Sequence, residues 1–417
     1  MKEEYIEKIE NKKIDKERLL YLLICVFAII SSLTVLLDFL YLRSVTKILQ
    51  SFILIACFVL ILNIRQKSNN LSKRNIVNIL YIIIIYLLLL FIKDIIFSDV
   101  SISLIFRNFL QIFFMYFWIL VAFSISKELL DKILLFIQKL FYVGILFSIL
   151  EFIIPTNLKS QILSMLFGSV PVGYLSRDID FGFMRLGSFY FNPLTLSFSL
   201  LFLLCYYKTS NNKIKGRLTF IIAFLAQTKT AIIGGILILL GKNSKFINIA
   251  ILYTTLIFVF FICIYFDGWF FYYTFNGTSL KSLSNHLSGL VFGVQAAFTN
   301  IIGNGLGKSG YLLFVDSLND PSISKLFNII EYENGNESTY GVIGYQLGGI
   351  FLILHLFLFL KLFYFQLKNK NFSIVSFILL IILFQLFSES PLTILITFCQ
   401  AFLFAKSSVE EKSILNN

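Results

Sequence analysis

From Leu19 to Ala405 the chain is a succession of long apolar runs broken by short polar loops. A helix crossing a bilayer needs about 20 consecutive apolar residues. Runs of that kind fall near 19–41, 48–64, 76–97, 109–126, 133–154, 190–207, 218–226, 230–240, 246–266, 342–366, 371–387 and 391–405. With 58% hydrophobic and 14% charged residues, a soluble domain could not bury the apolar surface. The runs are continuous rather than alternating, which argues against a β-barrel. The expected fold is therefore all-α, a polytopic helical membrane protein with about 12 transmembrane helices and a large outer loop, 267–340. The runs 218–226 and 230–240 are short for two spans. They read either as one long helix or as two short ones pinched around Gln227-Thr228-Lys229-Thr230.

Basic loops orient such a protein, because positive residues are retained in the cytoplasm. Arg65/Lys67/Lys73/Arg74, Lys208/Lys213/Lys215/Arg217, Lys242/Lys245 and Lys368/Lys370 mark the cytoplasmic loops, and both charged termini join them. Residues 1–18 and 406–417 are then cytoplasmic tails around a single transmembrane domain, 19–405. The loops 155–187 and 267–340 lie outside, and Lys229 sits at the outer end of a hairpin or in a re-entrant turn. The first apolar run is too long and too poorly flanked for a cleavable signal peptide. The net charge of +12 belongs to this orientation and not to a nucleic-acid partner. Cys25, Cys57, Cys205, Cys263 and Cys399 are scattered within apolar runs without metal spacing, and read as small core residues.

Polar chemistry concentrates in four places. In Arg185-Leu186-Gly187-Ser188-Phe189-Tyr190-Phe191-Asn192-Pro193 an arginine precedes an Asn-Pro helix start. Asn192 suits a helix cap and Pro193 the first turn; the arginine reads either as a snorkelling interfacial residue or as a guanidinium holding a phosphate beside a helix N-terminus. Lys229 interrupts an uncharged stretch, which marks either a functional charge or a lysine snorkelling to the outer surface. His286 is one of two histidines, and it precedes Gly303-Asn304-Gly305-Leu306-Gly307, whose glycines permit a tight turn or close approach to a ligand. His355, inside a late apolar run, reads as a structural hydrogen-bonder. Finally, Glu337-Ser338-Thr339-Tyr340 opens the next apolar run, with Ser338 or Thr339 as cap and Glu337 either complementing the helix dipole or acting as a general base.

The order R-x-G-x-x-x-x-N-P, T-K-T-A, G-x-G-x-G and E-S-x-Y resembles the bacterial O-antigen polymerase and ligase superfamily, which includes the Wzy-type polymerases, over roughly residues 100–405. The resemblance implies a membrane-embedded glycosyltransferase of the cytoplasmic membrane, with its active site facing outward. It implies polyprenyl-diphosphate-linked glycans as substrates, membrane lipid as surroundings, and flippase and chain-length regulator proteins as partners. Arg185 and Lys229 would hold the diphosphate, Glu337 or His286 would serve as base, and Asn192, Gly303, Gly305, Gly307 and Tyr340 would position them. No cofactor or metal is implied; Asp178-Ile179-Asp180 is only a near miss to a metal-binding Asp-x-Asp. The chain departs from the family at Lys229, where arginine is common, and near His286, where the family often has another basic residue, usually arginine. It departs again at Glu337, where ligases carry a histidine ahead of a nine-residue spacer and a glycine, here Gly348. Glutamate there favours a polymerase of O-antigen, capsule or exopolysaccharide over a ligase. A transporter is the third reading, against which most runs are uncharged apart from Lys93/Asp94, Lys139, Glu151 and Lys229.

Overall fold

The computed structural model describes residues 2–39, 42–64, 71–98, 100–168, 186–190, 192–210, 212–225, 228–241, 245–266, 270, 281–308, 338–387 and 394–406. Of these, 89% are helical and none lies in a strand. In chain order the helices are α1 (Lys2–Ser32), α2 (Thr34–Phe39), α3 (Arg43–Ile64), α4 (Leu71–Phe97), α5 (Ile102–Ser124), α6 (Lys127–Ile153) and α7 (Thr156–Phe167). A short 3-10 turn, Ser188–Tyr190, precedes α8 (Pro193–Thr209), α9 (Lys213–Leu225), α10 (Lys229–Gly241) and α11 (Lys245–Tyr265). The last four are α12 (Lys281–Thr299), α13 (Thr339–Lys368), α14 (Phe372–Phe387) and α15 (Ile394–Ala405).

Among the described residues, six helices are long and apolar enough to cross a membrane: α3, α4, α5, α6, α11 and α13. Segments of α10, α14 and α15 are apolar but shorter. Large apolar side chains point outward on several of them, Phe52, Ile55, Ile257 and Phe260 among them. A soluble protein would not leave that surface to water, and lipid is the solvent that suits it. All five cysteines are free, four of them buried.

The chain divides into two compact units. The first comprises Met1–Asn70, Ile119–Lys242 and Phe398–Asn417. Its centre is α8, buried on every side from Leu196 to Cys205, as expected of a helix that is apolar all round. Helices α6, α9 and α10 pack around α8. The ambiguous runs 218–226 and 230–240 belong to two helices, α9 ending at Leu225 and α10 starting at Lys229. Glycine lets them approach: Gly235 of α10 faces the Phe220 ring of α9, where a β-carbon would meet it at 2.6 Å.

The second unit comprises Leu71–Trp118 and Asn243–Thr397, and its most extensive helix pair is α12 with α13. Two expectations change here. The stretch 267–340 is not loop throughout, since it contains α12; and α13 is not one straight span. At Gly348 (φ 82°, ψ −178°) the helix breaks and doubles back. The Tyr340 and His355 rings, which a continuous helix would hold about 22 Å apart, meet edge to face at 5.4 Å. Small residues permit the close pairing of α12 with the first half of α13. Gly293 of α12 lies so close to α13 that a β-carbon on it would sit 2.1 Å from the Gly341 carbonyl oxygen, and one on Gly344 would sit 2.5 Å from the Gly293 carbonyl oxygen.

Candidate functional site

In the first unit the structure gathers the segments that carry two of the sequence motifs. Asn192 caps α8, its side-chain oxygen accepting from the backbone N–H groups of Leu194 (2.9 Å) and Thr195 (3.2 Å). Thr228 plays the same part for α10, accepting from Ala231 N–H at 3.1 Å. The Ser197 and Thr228 hydroxyls are hydrogen-bonded to each other, and one turn after another follows in register, with Gly235 beside Leu204. Helices α8 and α10 therefore run parallel and start at the same end. The positive ends of two helix dipoles lie side by side, with the first N–H groups of α8 already taken by Asn192. Lys208, in the last turn of α8, and Lys406, which donates to Thr209 at 3.0 Å and lies 4.2 Å from the centre of the Tyr206 ring, mark the opposite end.

Arg185 lies outside the described residues, as does Gln227; of Lys229 the backbone is described, as the first residue of α10. What holds the approach to α8 was not apparent from the motifs. Glu151, at the end of α6, accepts from Gly187 N–H at 2.9 and 3.1 Å through its two oxygens and from Ser188 N–H at 2.7 Å. Lys159, buried on α7, closes the cluster at 2.8 Å from the same carboxylate. Burial pulls the Lys159 ammonium below the ordinary lysine value of 10.5, and the Glu151 charge opposes that shift. Ser188 takes a left-handed conformation (φ 55°), which a non-glycine residue adopts only where its surroundings impose it. Its hydroxyl donates to the Gly144 carbonyl at 2.7 Å. The signal for Glu151 was in the sequence: a carboxylate in the apolar stretch Ile149-Leu150-Glu151-Phe152-Ile153-Ile154 requires a partner. Nothing local named Lys159, across Pro155, as that partner.

In the second unit Ser338 caps α13, accepting from Gly341 N–H at 3.2 Å and donating to the Gln385 carbonyl at 3.3 Å. Tyr340 is buried against His355. His355 is wholly buried and satisfied on both ring nitrogens, Nδ1 with the Tyr116 hydroxyl at 2.7 Å and Nε2 with Gln385 Oε1 at 3.0 Å. The amide oxygen can only accept, so the proton sits on Nε2 and Nδ1 accepts from tyrosine. This is the structural histidine that its apolar setting suggested. His286 is half-buried on α12. Because Gly293 faces Gly341 and Ala297 faces Gly344, α12 runs parallel to the first half of α13. His286 and Ser338 thus both lie toward the starts of that parallel pair. Glu337 lies outside the described residues, and so do Trp269, Tyr272, Tyr273, Asp178 and Asp180.

The glycine motif serves the break in α13. Gly303, Gly305 and Gly307 all have positive φ (87°, 112° and 83°). The turn they form inserts against Gly348: Asn304 N–H donates to Tyr345 O at 2.9 Å and Gly305 N–H to Gln346 O at 3.0 Å. Breaking a helix strands its last carbonyls, and this turn satisfies them. Asp94 fixes the turn in place by accepting from Leu306 N–H at 2.6 Å, and Gln346 accepts from Gly307 N–H at 3.3 Å. The motif reads here as backbone architecture.

No known protein family, no characterised protein and no solved structure matches the chain.

Proposed function

We propose that this protein is a Wzy-type polysaccharide polymerase, joining polyprenyl-diphosphate-linked repeat units at the outer face of a bacterial cytoplasmic membrane. In this reading twelve crossings leave both termini in the cytoplasm. A growing glycan on its lipid diphosphate is the donor, and a sugar hydroxyl of the next lipid-linked unit is the acceptor. That hydroxyl attacks the anomeric carbon, the bond from carbon to the diphosphate oxygen breaks, and polyprenyl diphosphate departs with the bonding electrons. The anomeric configuration inverts. The leaving group is already good, so the protein has two tasks: charge compensation at the diphosphate and a positioned base for the hydroxyl proton. Arg185 and Lys229 take the first task, and Glu337 or His286 the second.

The observation that supports the reading best is the pairing of α8 with α10. The two basic motifs are 44 positions apart in sequence, yet each opens one of two parallel helices whose first turns are tied by Ser197 and Thr228. The positive dipole ends of two helices, one preceded in sequence by Arg185 and the other opened by Lys229, suit an anion with two phosphates. Glutamate at position 337 favours polymerase over ligase, and the scarcity of charge along the apolar runs favours either over a transporter.

Complementation of a strain lacking the gene tests this, with glycan length read on a gel and membrane levels checked. Wild type should restore a ladder, and Arg185→Ala or Glu337→Ala should leave single repeats. Long lipid-linked chains that never reach their final acceptor would instead identify a ligase. An unchanged ladder in the deletion strain would overturn both. Cysteine labelling of intact cells at positions 67, 172, 211 and 320 checks the topology: 172 and 320 should react, 67 and 211 should not.

A further inference from the structure

Lys361 puts a charge inside the apolar length of α13, and the polymerase reading makes no use of it. Helix α13 is one of the six long and apolar enough to cross a membrane. Beyond its break, the part 349–368 is about 30 Å long, the thickness of the hydrocarbon core. Lys361 stands seven residues before the end (361 to 368), about 10 Å in. A helical side chain leaves the backbone tilted toward the helix start, so the ammonium is carried deeper and not toward the nearer end. It lies 5.0 Å from the centre of the Phe357 ring, one turn further in. Snorkelling, the usual remedy for a lysine in a span, is therefore not used. Among the described residues no carboxylate pairs with it, and an aromatic face is a weak substitute.

The surroundings of Lys361 form a narrow stripe. Ile350, Ile353, Phe357, Lys361, Tyr364 and Lys368 recur every three or four residues and are exposed, while every other residue of 351–367 is buried or half-buried. A ridge one residue wide offers itself to the groove of a single helix. One turn from Lys361, the exposed Tyr364 hydroxyl is bonded at 3.0 Å to that of Tyr253 on α11, also exposed. That bond uses one of the two hydroxyl hydrogens and leaves the other to donate. An ammonium and an O–H donor one turn apart on a lipid-facing stripe call for an acceptor. The strongest that a membrane-spanning helix carries is a carboxylate.

We propose that this stripe docks a transmembrane helix of a different protein, one with a glutamate or aspartate in its middle that pairs with Lys361. The docking holds whether or not the protein polymerises glycans. A second copy of the chain does not fit, because twofold packing on the stripe sets Lys361 near its own counterpart. Among the described residues of the six spanning helices, the carboxylates are Asp94, Glu128, Asp131 and Glu151. Asp94 is buried against the Leu306 N–H, Glu151 is engaged by Lys159, and Glu128 and Asp131 stand in the first two turns of α6. None is offered to lipid at the depth of Lys361. A lipid phosphate does not fit either: it stands at the membrane surface, about 10 Å from the Lys361 backbone, and the side chain leans away from it.

The test reconstitutes the full-length protein in phosphatidylcholine vesicles and measures energy transfer to a labelled synthetic peptide, a leucine–alanine transmembrane helix with one central glutamate. Control peptides carry leucine or lysine at that position. Wild type should hold the glutamate peptide about tenfold more tightly than the leucine peptide, the scale of an interhelical polar contact in lipid. Lys361→Leu should bind both alike. Lys361→Glu should reverse the preference and favour the lysine peptide. Because position 361 faces lipid, Lys361→Leu should also fold and melt no lower than wild type. A lower melting temperature would mean that the lysine serves the packing of its own chain, and the docking role would fall. It would fall equally if wild type did not distinguish glutamate from leucine, or if Lys361→Leu kept the preference. Two further outcomes replace the occupant and overturn the proposal. Loss of the glutamate preference on adding phosphatidylglycerol would identify an anionic headgroup. Energy transfer between differently labelled copies of the protein, abolished by Lys361→Leu, would identify a second copy.

Discussion

The hydroxyls of Ser197 and Thr228, 31 positions apart in the chain, share a hydrogen bond between the first turns of two parallel helices. Thr228 also caps α10, so one side chain both starts a helix and docks it.

Thr228→Val therefore removes a cap and a tertiary bond together and should destabilise the protein by about 2 kcal/mol. Ser197→Ala removes the tertiary bond and leaves the cap, for about 1 kcal/mol. Thermal melts in detergent should rank them in that order. Equal losses would mean that the cap contributes nothing.

The break in α13 admits no side chain. A β-carbon at Gly348 would lie 2.3 Å from the Ile301 carbonyl oxygen, and one at Gly303 2.3 Å from that of Gln346, both at positive φ. Either alanine substitution should cost more than about 4 kcal/mol and deplete the protein from membranes. Gly168 also has positive φ, but a β-carbon there meets nothing within 4 Å. Gly168→Ala should cost only the backbone term, about 1 kcal/mol, and express normally.

His355→Leu strands the Tyr116 hydroxyl and the Gln385 amide oxygen in a buried site. The expected loss is about 3 kcal/mol, against about 1.5 for Tyr116→Phe, which leaves one unpaired ring nitrogen. In a double-mutant cycle on melting free energies, the pair should lose less than the sum by about 1 kcal/mol. Strict additivity would dissolve the network.

Lys159 gives the pH dependence a sign. Its folded pKa lies below the ordinary 10.5, so between the two values the unfolded chain holds more proton than the folded one. Stability from this group must rise with pH through that window. The melting-temperature difference between wild type and Lys159→Met should shift in favour of wild type as pH approaches 10.5. A shift in the opposite direction would mean that the Glu151 charge outweighs burial.

Legibility in the sequence followed the range of the interaction. Asn192 as a cap, Ser338 as one of two candidate caps, Pro193 in a first turn, and His355 as a satisfied core histidine are local matters, and local reading reached them. The two short helices around 226–228 were one of two readings, because a polar break in an apolar run signals a turn without fixing its shape. Helix α12 was hidden for a different reason. Its contact face is built of Gly293 and Ala297, so close packing replaced the bulky apolar period by which buried helices are usually detected. The reversal at Gly348 was masked by apolar residues on both sides, and its cause, the 303–307 turn, lies some 40 positions upstream. The spacing of nine between Ser338 and Gly348 acquires a physical meaning here: it is the length of the helical segment Thr339–Leu347 between a cap and a break.

Helices α9 and α10 have 13 residues each, about 20 Å of rise against a hydrocarbon slab of about 30 Å. In the twelve-crossing topology proposed above, a bilayer could not meet these two helices at full thickness. Either acyl chains beside them would compress by about a third, or water and headgroups would sink to the Thr228 cap. In both cases that topology would pull the polar boundary of the membrane inward at Lys229, and a lysine prohibitive in hydrocarbon would stand at a dimple in the surface. The headgroup of any lipid that diffuses there would follow the same contour.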